Sequence, residues 1–242
     1  MIRLDALLCI RYPEYSRTLI QLFIRNGEVL LNGAPLLKPG ALVSQEDTVE
    51  IVAQKPQYVS RAGYKLEKAL EHFAVNVENK IALDVGISTG GFTDCLLQHE
   101  AAKVYGVDVG TNQTVDSIKL NSRVVLLEKT HIKTVTPELL GELLDIITVD
   151  VSFISVLKII SGLVPLLKNG GELIVLIKPQ FETEGKHLSR QGVIKNSDIH
   201  TQVITHTIKE ILLHGFVSHG YVESPLLGGS GNKEFLAYFK KV

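Results

Sequence analysis

From about residue 82 onward, short apolar runs alternate with stretches of helical periodicity. IALDVG (81–86) predicts a strand entering a glycine-rich turn, and FTDCLLQHEA (92–101) a helix with Phe92, Cys95, Leu96 and His99 on one side. VYGVDVG (104–110), VVLLEK (124–129) and LLDIITVDV (143–151) read as three more strands, the last followed by a helix through ISVLKIISGLVPLL (154–167). GELIVLIKP is a fifth strand: Leu173 to Ile177 are continuously apolar, as in a strand covered on both faces, and the run ends at Lys178 and Pro179. A helix over 200–216 ends at Gly215, and VSHGYVESPL and EFLAYFKKV form two last strands, close enough in sequence to pair antiparallel. Strands alternating with helices give a parallel sheet with helices on both faces, whose ligands sit beyond the carboxyl ends of the strands.

The first 53 residues show another pattern. IRLDALLCIRY and SRTLIQLFIRNG are short amphipathic helices, the second with Ser16 as N-cap and Gly27 as stop. EVLLNGAPLL alternates around Asn32-Gly33, a hairpin signal, and DTVEIVA adds a strand. The expected organisation is a small α+β domain over 1–53, a linker over 54–60 and an α/β domain over 61–242.

Composition narrows the partners only a little. With 45% hydrophobic and 21% charged residues the chain reads as a globular protein, and a net charge of −1 carries no general attraction for polyanions. Any nucleic-acid contact must rest on local charge. Cys9 and Cys95 form no CxxC pair and no zinc spacing, so no metal site is expected and both read as reduced core thiols. Arg3, Asp5 and Arg11 break any leader-like core, and no apolar run approaches the ~18 residues that span a bilayer, so a cytoplasmic protein without membrane contact is expected.

The chemistry concentrates at strand ends. In LDVGISTGGFTD (83–94) a strand, a turn of small residues and a helix start succeed one another; Gly86, Gly90 and Gly91 admit a ligand to the backbone, and the helix start offers free N–H donors. Asp108 ends the next strand, 22 residues after Gly86, where an acid accepts from ribose hydroxyls. Ser88 stands where a dinucleotide cradle has its central glycine. The turn therefore suits a nucleoside ligand without a phosphate, such as S-adenosylmethionine, with Asp84 near its amino group. The same residues also spell G-x-S-x-G, which leaves a serine hydrolase using Ser88 as an alternative. In VDVSFIS (149–155), Asp150 ends the fourth strand, and Ser152 or Ser155 can cap the helix after it, leaving the acid free. The chain has no Pro-Pro-aromatic run and no Pro-Cys, so the acceptor of a methyl group is expected to be a hydroxyl. Lys178 overhangs the same cleft, and an isolated lysine there would be costly without a partner such as Asp150.

The blocks YVSRAGYKL, LDVGISTGGFTDCLL, VYGVDVG, VDVSFIS, IKPQFE and GNKEFL resemble the hemolysin A/TlyA-type family of ribosomal RNA 2′-O-methyltransferases, which carry an FtsJ-like catalytic domain. The segment RLDALL…SRTLIQLFIRNGEVLLNG is similar to the S4-type RNA-binding module. The resemblance covers nearly the whole chain. It implies a Rossmann-like methyltransferase domain with a mostly parallel seven-stranded sheet behind a small RNA-binding domain. It further implies S-adenosylmethionine as donor, ribosomal RNA or a ribosomal subunit as partner, cytidine as the modified nucleotide, and a catalytic set of Lys65, Asp150, Lys178 and Glu234. The cofactor set it implies is Asp84, Gly86, Ser88, Gly90, Gly91, Phe92, Thr93, Asp108, Thr130, His131 and Asp150. Ile87, Ala62 and His131 depart from the residues usual in the family.

On this reading Lys178 takes the proton of a ribose hydroxyl or polarises it, Asp150 orients Lys178, Lys65 holds the ribose or phosphate, and Glu234 positions a lysine. Residues 1–42 carry five basic against three acidic side chains, a slight excess. Arg3 and Arg17 match the module's RLD and SR positions; with Arg11, Arg61 and Phe153, which can pack on a flipped base, they form the expected RNA contacts. A non-catalytic RNA-binding or hemolysin-like protein is the remaining alternative.

Overall fold

In the computed structural model, residues 1–52, 56–183, 185 and 187–242 are described. The chain divides into two compact units, Met1–Gln57 and Tyr58–Val242. Residue 53 of the expected first domain and residues 54 and 55 of the expected linker lie outside the described residues. Tyr58, expected in the linker, is buried in the second unit, where its hydroxyl donates to Glu67 (2.8 Å).

The first unit packs helices Leu4–Arg11 and Arg17–Arg25 over short strands. Ser16 caps the second helix, its Oγ accepting from Leu19 N (3.3 Å). Strand Val29–Leu31 turns through Asn32 (φ 51°) and Gly33 (φ 82°) into Ala34–Pro35. Both central residues are left-handed, as the tight hairpin requires. Val49–Ile51 pairs on the other side of Val29–Leu31. Leu4, Leu8, Ile20, Phe23, Ile24 and Val29 form the core.

The second unit is built on seven strands: β1 (Ile81–Val85), β2 (Lys103–Val107), β3 (Val124–Leu127), β4 (Leu144–Val149), β5 (Leu167–Ile177), β6 (Phe216–Glu223) and β7 (Phe235–Lys241). Their order across the sheet is β6-β7-β5-β4-β1-β2-β3, with β7 antiparallel to both neighbours and the pairs from β5 to β3 parallel. The mostly parallel seven-stranded sheet and the antiparallel last pair are as expected. Side chains alternate between two apolar layers. Ile177, Val175, Phe235 and Val149 face one. Leu176, Leu236 and Ile146 face the other, together with helices α1 (Ala62–His72) and α2 (Gly91–Gln98).

Two local features position the site. Gly86 (φ +87°) brings the end of β1 against the Asp150 carbonyl, where a Cβ would come within 2.4 Å. Gly91 lets the start of α2 lie on α1: a Cβ there would meet Ser60 Oγ at 2.2 Å and Ala62 Cβ at 2.9 Å. The expected helix over 154–167 is corrected. The segment is a 3₁₀ turn (Val156–Lys158), one α turn (Ile160–Leu163) and a second 3₁₀ turn (Val164–Leu166). Gly162 weakens it and Pro165 lacks the N–H that a continuous helix needs. The helix expected over 200–216 begins earlier, at Ser197, capped by Asn196, and ends at Leu212.

Candidate active site

Two neighbouring strands of the second unit, β5 and β7, deliver charge to one end. Ile177 pairs with Phe235, so Lys178 and Glu234 each stand one residue past the same final rung. Alternation turns both toward the layer that holds α1. There Lys65 Nζ lies 2.5 Å from Glu234 Oε2, and Lys178 Nζ lies 2.6 Å from Asp150 Oδ1. Lys65, Lys178 and Glu234 are 9%, 8% and 3% exposed, so these charges are withdrawn from water and need their partners. The Lys178–Asp150 pair lies off the hydrogen-bonding direction. The ammonium donates instead to Ser152 Oγ (2.8 Å). Ser155, not Ser152, caps the next turn by accepting from Leu157 N, so Asp150 and Ser152 both remain free to serve the lysine. Gly228 closes the other side: a Cβ there would meet Glu234 Oε1 at 2.3 Å.

Two adjoining cavities open at these strand ends. One, of about 550 Å³, is lined by Gly86, Ser88, Asp108, Thr130, His131 and Asp150 over an apolar wall of valines and isoleucines. A smaller one, of about 140 Å³, shares Gly86, Ser88, Asp150 and Ser152 with it and reaches Ala62, Phe92 and Lys178. Asp108 Oδ2 accepts from Ser88 N (2.9 Å) and Oδ1 from Gly110 N (2.7 Å), which fixes the carboxylate while leaving each oxygen a further lone pair. Thr130 N donates to the Asp108 carbonyl (2.9 Å). His131 Nδ1 accepts from Lys133 N (3.2 Å), so Nε2 is the ring nitrogen left for a ligand.

Three expected cofactor residues stand back from the cavity walls. Asp84 is fully buried, with Oδ2 accepting from Thr93 Oγ1 (2.7 Å) and Oδ1 without a partner among the described residues; burial pushes its carboxyl up to about 7. Thr93 is thus a support for Asp84. Gly90, at φ +98°, starts α2 against Ile118. Ser88, at φ 46°, donates to Gln113 Oε1 (3.3 Å) and not to a histidine, which removes the triad geometry that a serine hydrolase needs. Phe153 is 91% exposed at φ +65°, its ring 5.3 Å from that of Phe181. Arg61 is exposed at the start of α1. Gln113, Phe181 and the bond from Lys178 to Ser152 were not expected from the sequence; of these only IKPQFE, which contains Phe181, gave a signal.

In the first unit the three arginines expected to meet RNA have internal duties. Arg3 grips the buried Asp5 with Nε and Nη2, both at 3.0 Å, and Arg17 Nη2 adds a third bond at 3.0 Å. The Arg3 guanidinium, first among these, holds the Asp5 carboxyl well below the usual range. Arg11 donates to the Gln45 and Asp47 carbonyls. All three remain exposed at the surface.

This arrangement coincides with known proteins. The FtsJ-like methyltransferase family matches residues 58–241 and the S4 domain matches residues 2–49. Hemolysin A of Brachyspira hyodysenteriae is 42% identical over 229 residues, which is 94% of this chain and 95% of that protein. The 16S/23S rRNA (cytidine-2′-O)-methyltransferase TlyA of Mycobacterium tuberculosis is 35% identical over 98% of this chain and 89% of its own. The chain belongs to the hemolysin A/TlyA family of FtsJ-like methyltransferases. A solved structure of a hemolysin-like protein from Streptococcus thermophilus superposes with a TM-score of 0.79 at 37% identity, covering 99% of this chain and 88% of that one. As a family member the protein carries both modules in the order the sequence suggested. Among the described residues no helix is long and apolar enough to cross a membrane.

Proposed function

We propose that this protein methylates the 2′-hydroxyl of a cytidine in ribosomal RNA, using S-adenosylmethionine, in the cytoplasm where ribosomes are. The observation that carries this reading is the pair of buried lysines, each held by its own carboxylate, with Lys178 lining the smaller cavity at the β1 turn. The named activity of the Mycobacterium tuberculosis relative supports the substrate.

The residues fit the cofactor. A volume of about 550 Å³ lies within the range of small-molecule sites, roughly 300–1,000 Å³. Asp108 would take ribose hydroxyls, Thr130 and His131 would flank the adenine against the apolar wall, and Gly86 and Ser88 would face the methionine end. When bound, the sulfonium supplies an electrophilic methyl group.

This chain's residues do the rest. Lys178, fixed by Asp150 and Ser152, meets the ribose hydroxyl and takes or polarises its proton. Lys65, steadied by Glu234, holds the ribose or its phosphate and keeps the attacking oxygen aligned. Exposed Phe153 offers a face on which a base leaving its helix can stack. The S4 unit, through Arg3, Arg11 and Arg17, and the catalytic unit, through Arg61, add phosphate contacts.

Mapping 2′-O-methyl groups in ribosomal RNA from cells with and without the protein, alongside calorimetry with S-adenosylmethionine, tests the reading. It expects one or a few cytidine methyls lost and a measurable affinity. An unchanged map with no cofactor binding would refute it.

A further inference from the structure

Phosphate contacts need cations that the protein does not already use, and here they are scarce. The net charge is −1, and Arg3, Arg11 and Arg17 all hold groups of their own unit. One stretch of the second unit stands apart. Residues 185–196, GKHLSRQGVIKN, carry three basic side chains and no acidic one. Arg190 and Lys195 are exposed, and neither has an ion pair or a side-chain hydrogen bond among the described residues.

The backbone around Arg190 is closed on itself. Ser189 Oγ accepts from Gln191 N (3.3 Å) and Val193 N (3.1 Å). Ser189 N donates to the Val193 carbonyl (3.0 Å), and Gly192 N to the Ser189 carbonyl (2.9 Å). Arg190 and Gln191 form the exposed tip of this turn. Its base is pinned from inside: Ile194 is 2% exposed, and Asn232, 1% exposed, accepts from Ile194 N (3.0 Å) and donates from Nδ2 to the Gly192 carbonyl (2.9 Å). Asn232 belongs to the loop that leads into β7. Its own carbonyl accepts from Gly228 N (2.8 Å), and Gly228 is the residue that closes on Glu234. The turn is therefore fastened two positions from Glu234, at the end of the sheet where Glu234 holds Lys65.

A buried amide devoted to an exposed turn has a physical reading. The tip buries nothing, so packing does not require it to be fixed. What the bonds provide is a guanidinium whose backbone is ordered before anything binds, so less freedom is lost on contact. A guanidinium meets a phosphate with two parallel N–H bonds. An RNA strand whose ribose lies at Lys178 brings its neighbouring phosphates to this same end of the sheet.

We propose that the Arg190 turn is a phosphate-binding element for the substrate RNA, with Lys195 adding charge beside it and Asn232 holding it in place. The proposal rests on the RNA methyltransferase reading above and places a backbone contact on the second unit that does not depend on the S4 unit.

The test measures binding of the full-length protein to ribosomal subunits lacking the modification, with S-adenosylhomocysteine present to prevent turnover, across a series of salt concentrations. Arg190→Ala is expected to weaken binding about tenfold and to make the dependence of log affinity on log salt shallower by about one. Cofactor affinity by calorimetry and the melting temperature should stay at the wild-type values. Arg190→Lys keeps the charge and should restore the salt dependence. Wild-type affinity and salt dependence in Arg190→Ala would overturn the proposal. So would a weaker affinity whose salt dependence is unchanged, or a salt dependence that Arg190→Lys does not restore. A wild-type protein that binds the cofactor but not the subunits would bring down the RNA methyltransferase reading and this proposal with it; wild-type binding that ignores Arg190 brings down only the proposal.

Discussion

Lys178 and Glu234 stand side by side past the last rung shared by β5 and β7, yet each is neutralised by a different partner. Lys178 pairs with Asp150 at 2.6 Å and Glu234 with Lys65 at 2.5 Å. The site thus holds two ion pairs at neighbouring strand ends, and neither buried ammonium group is left uncompensated.

Breaking one of these pairs should cost more than removing it. Lys65→Met leaves Glu234, 3% exposed, without its cation. Urea unfolding is expected to show a loss of about 3–5 kcal/mol. The double variant Lys65→Met/Glu234→Leu should recover most of that loss while remaining inactive. Equal destabilisation in single and double variants would show that the pair is not coupled.

Phe153 holds a strained backbone in the open. Its φ of +65° is unfavourable for a side chain bearing a Cβ, and its 91% exposure recovers little by burial. Phe153→Gly should leave the melting temperature unchanged or raise it, while base stacking worth about 1–3 kcal/mol is lost from RNA turnover. The expected result is roughly tenfold to hundredfold lower kcat/KM at unaltered cofactor affinity.

Asp84 sets a pH dependence. Its carboxyl, pushed up to about 7 by burial, binds a proton in the folded state that the unfolded chain releases near pH 4. Between about pH 4 and 7 the native state therefore holds more protons, and stability falls as pH rises through that window. Asp84→Asn, which keeps an acceptor for Thr93, should flatten this part of the profile. Thermal melts across pH without cofactor check it; parallel profiles would refute it.

Glu182 ties the segment that follows β4 to the segment that follows β5. It bonds to Ser155 and Val156 on one side and succeeds Lys178, Gln180 and Phe181 in the chain on the other. Burial pushes its carboxyl above the ordinary range. Glu182→Ala should lower kcat about tenfold or more while cofactor affinity stays level, and Glu182→Gln, which keeps both hydrogen-bonding partners, should restore most of it. A loss of kcat that Glu182→Gln does not rescue would argue against a positioning role.

The sheet was legible because strands buried on both faces are written as unbroken apolar runs, as in Leu173–Ile177. The helix expected over 154–167 was not, because its apolar spacing is genuine but Gly162 and Pro165 cut it into single turns. At the site, Asp150 and Lys178 announce themselves by ending strands. Lys65 and Glu234 do not, since they are 169 positions apart and meet only where α1 packs against the start of β7. Only the family resemblance named them beforehand. Asp84 shows the opposite limit: its place in the glycine-turn motif suggested a cofactor contact, but the strand buries it, and nothing local distinguishes an acid facing a cavity from one held beneath it.

Single-turnover methyl transfer to unmodified ribosomal subunits by Lys178→Ala, with S-adenosylmethionine affinity measured on the same preparation, addresses the central claim directly. Loss of a positioned proton-transfer group should lower the rate by about 10²–10⁴, with binding of the cofactor within a few-fold of wild type. A variant that binds the cofactor normally and methylates at the wild-type rate would contradict the account.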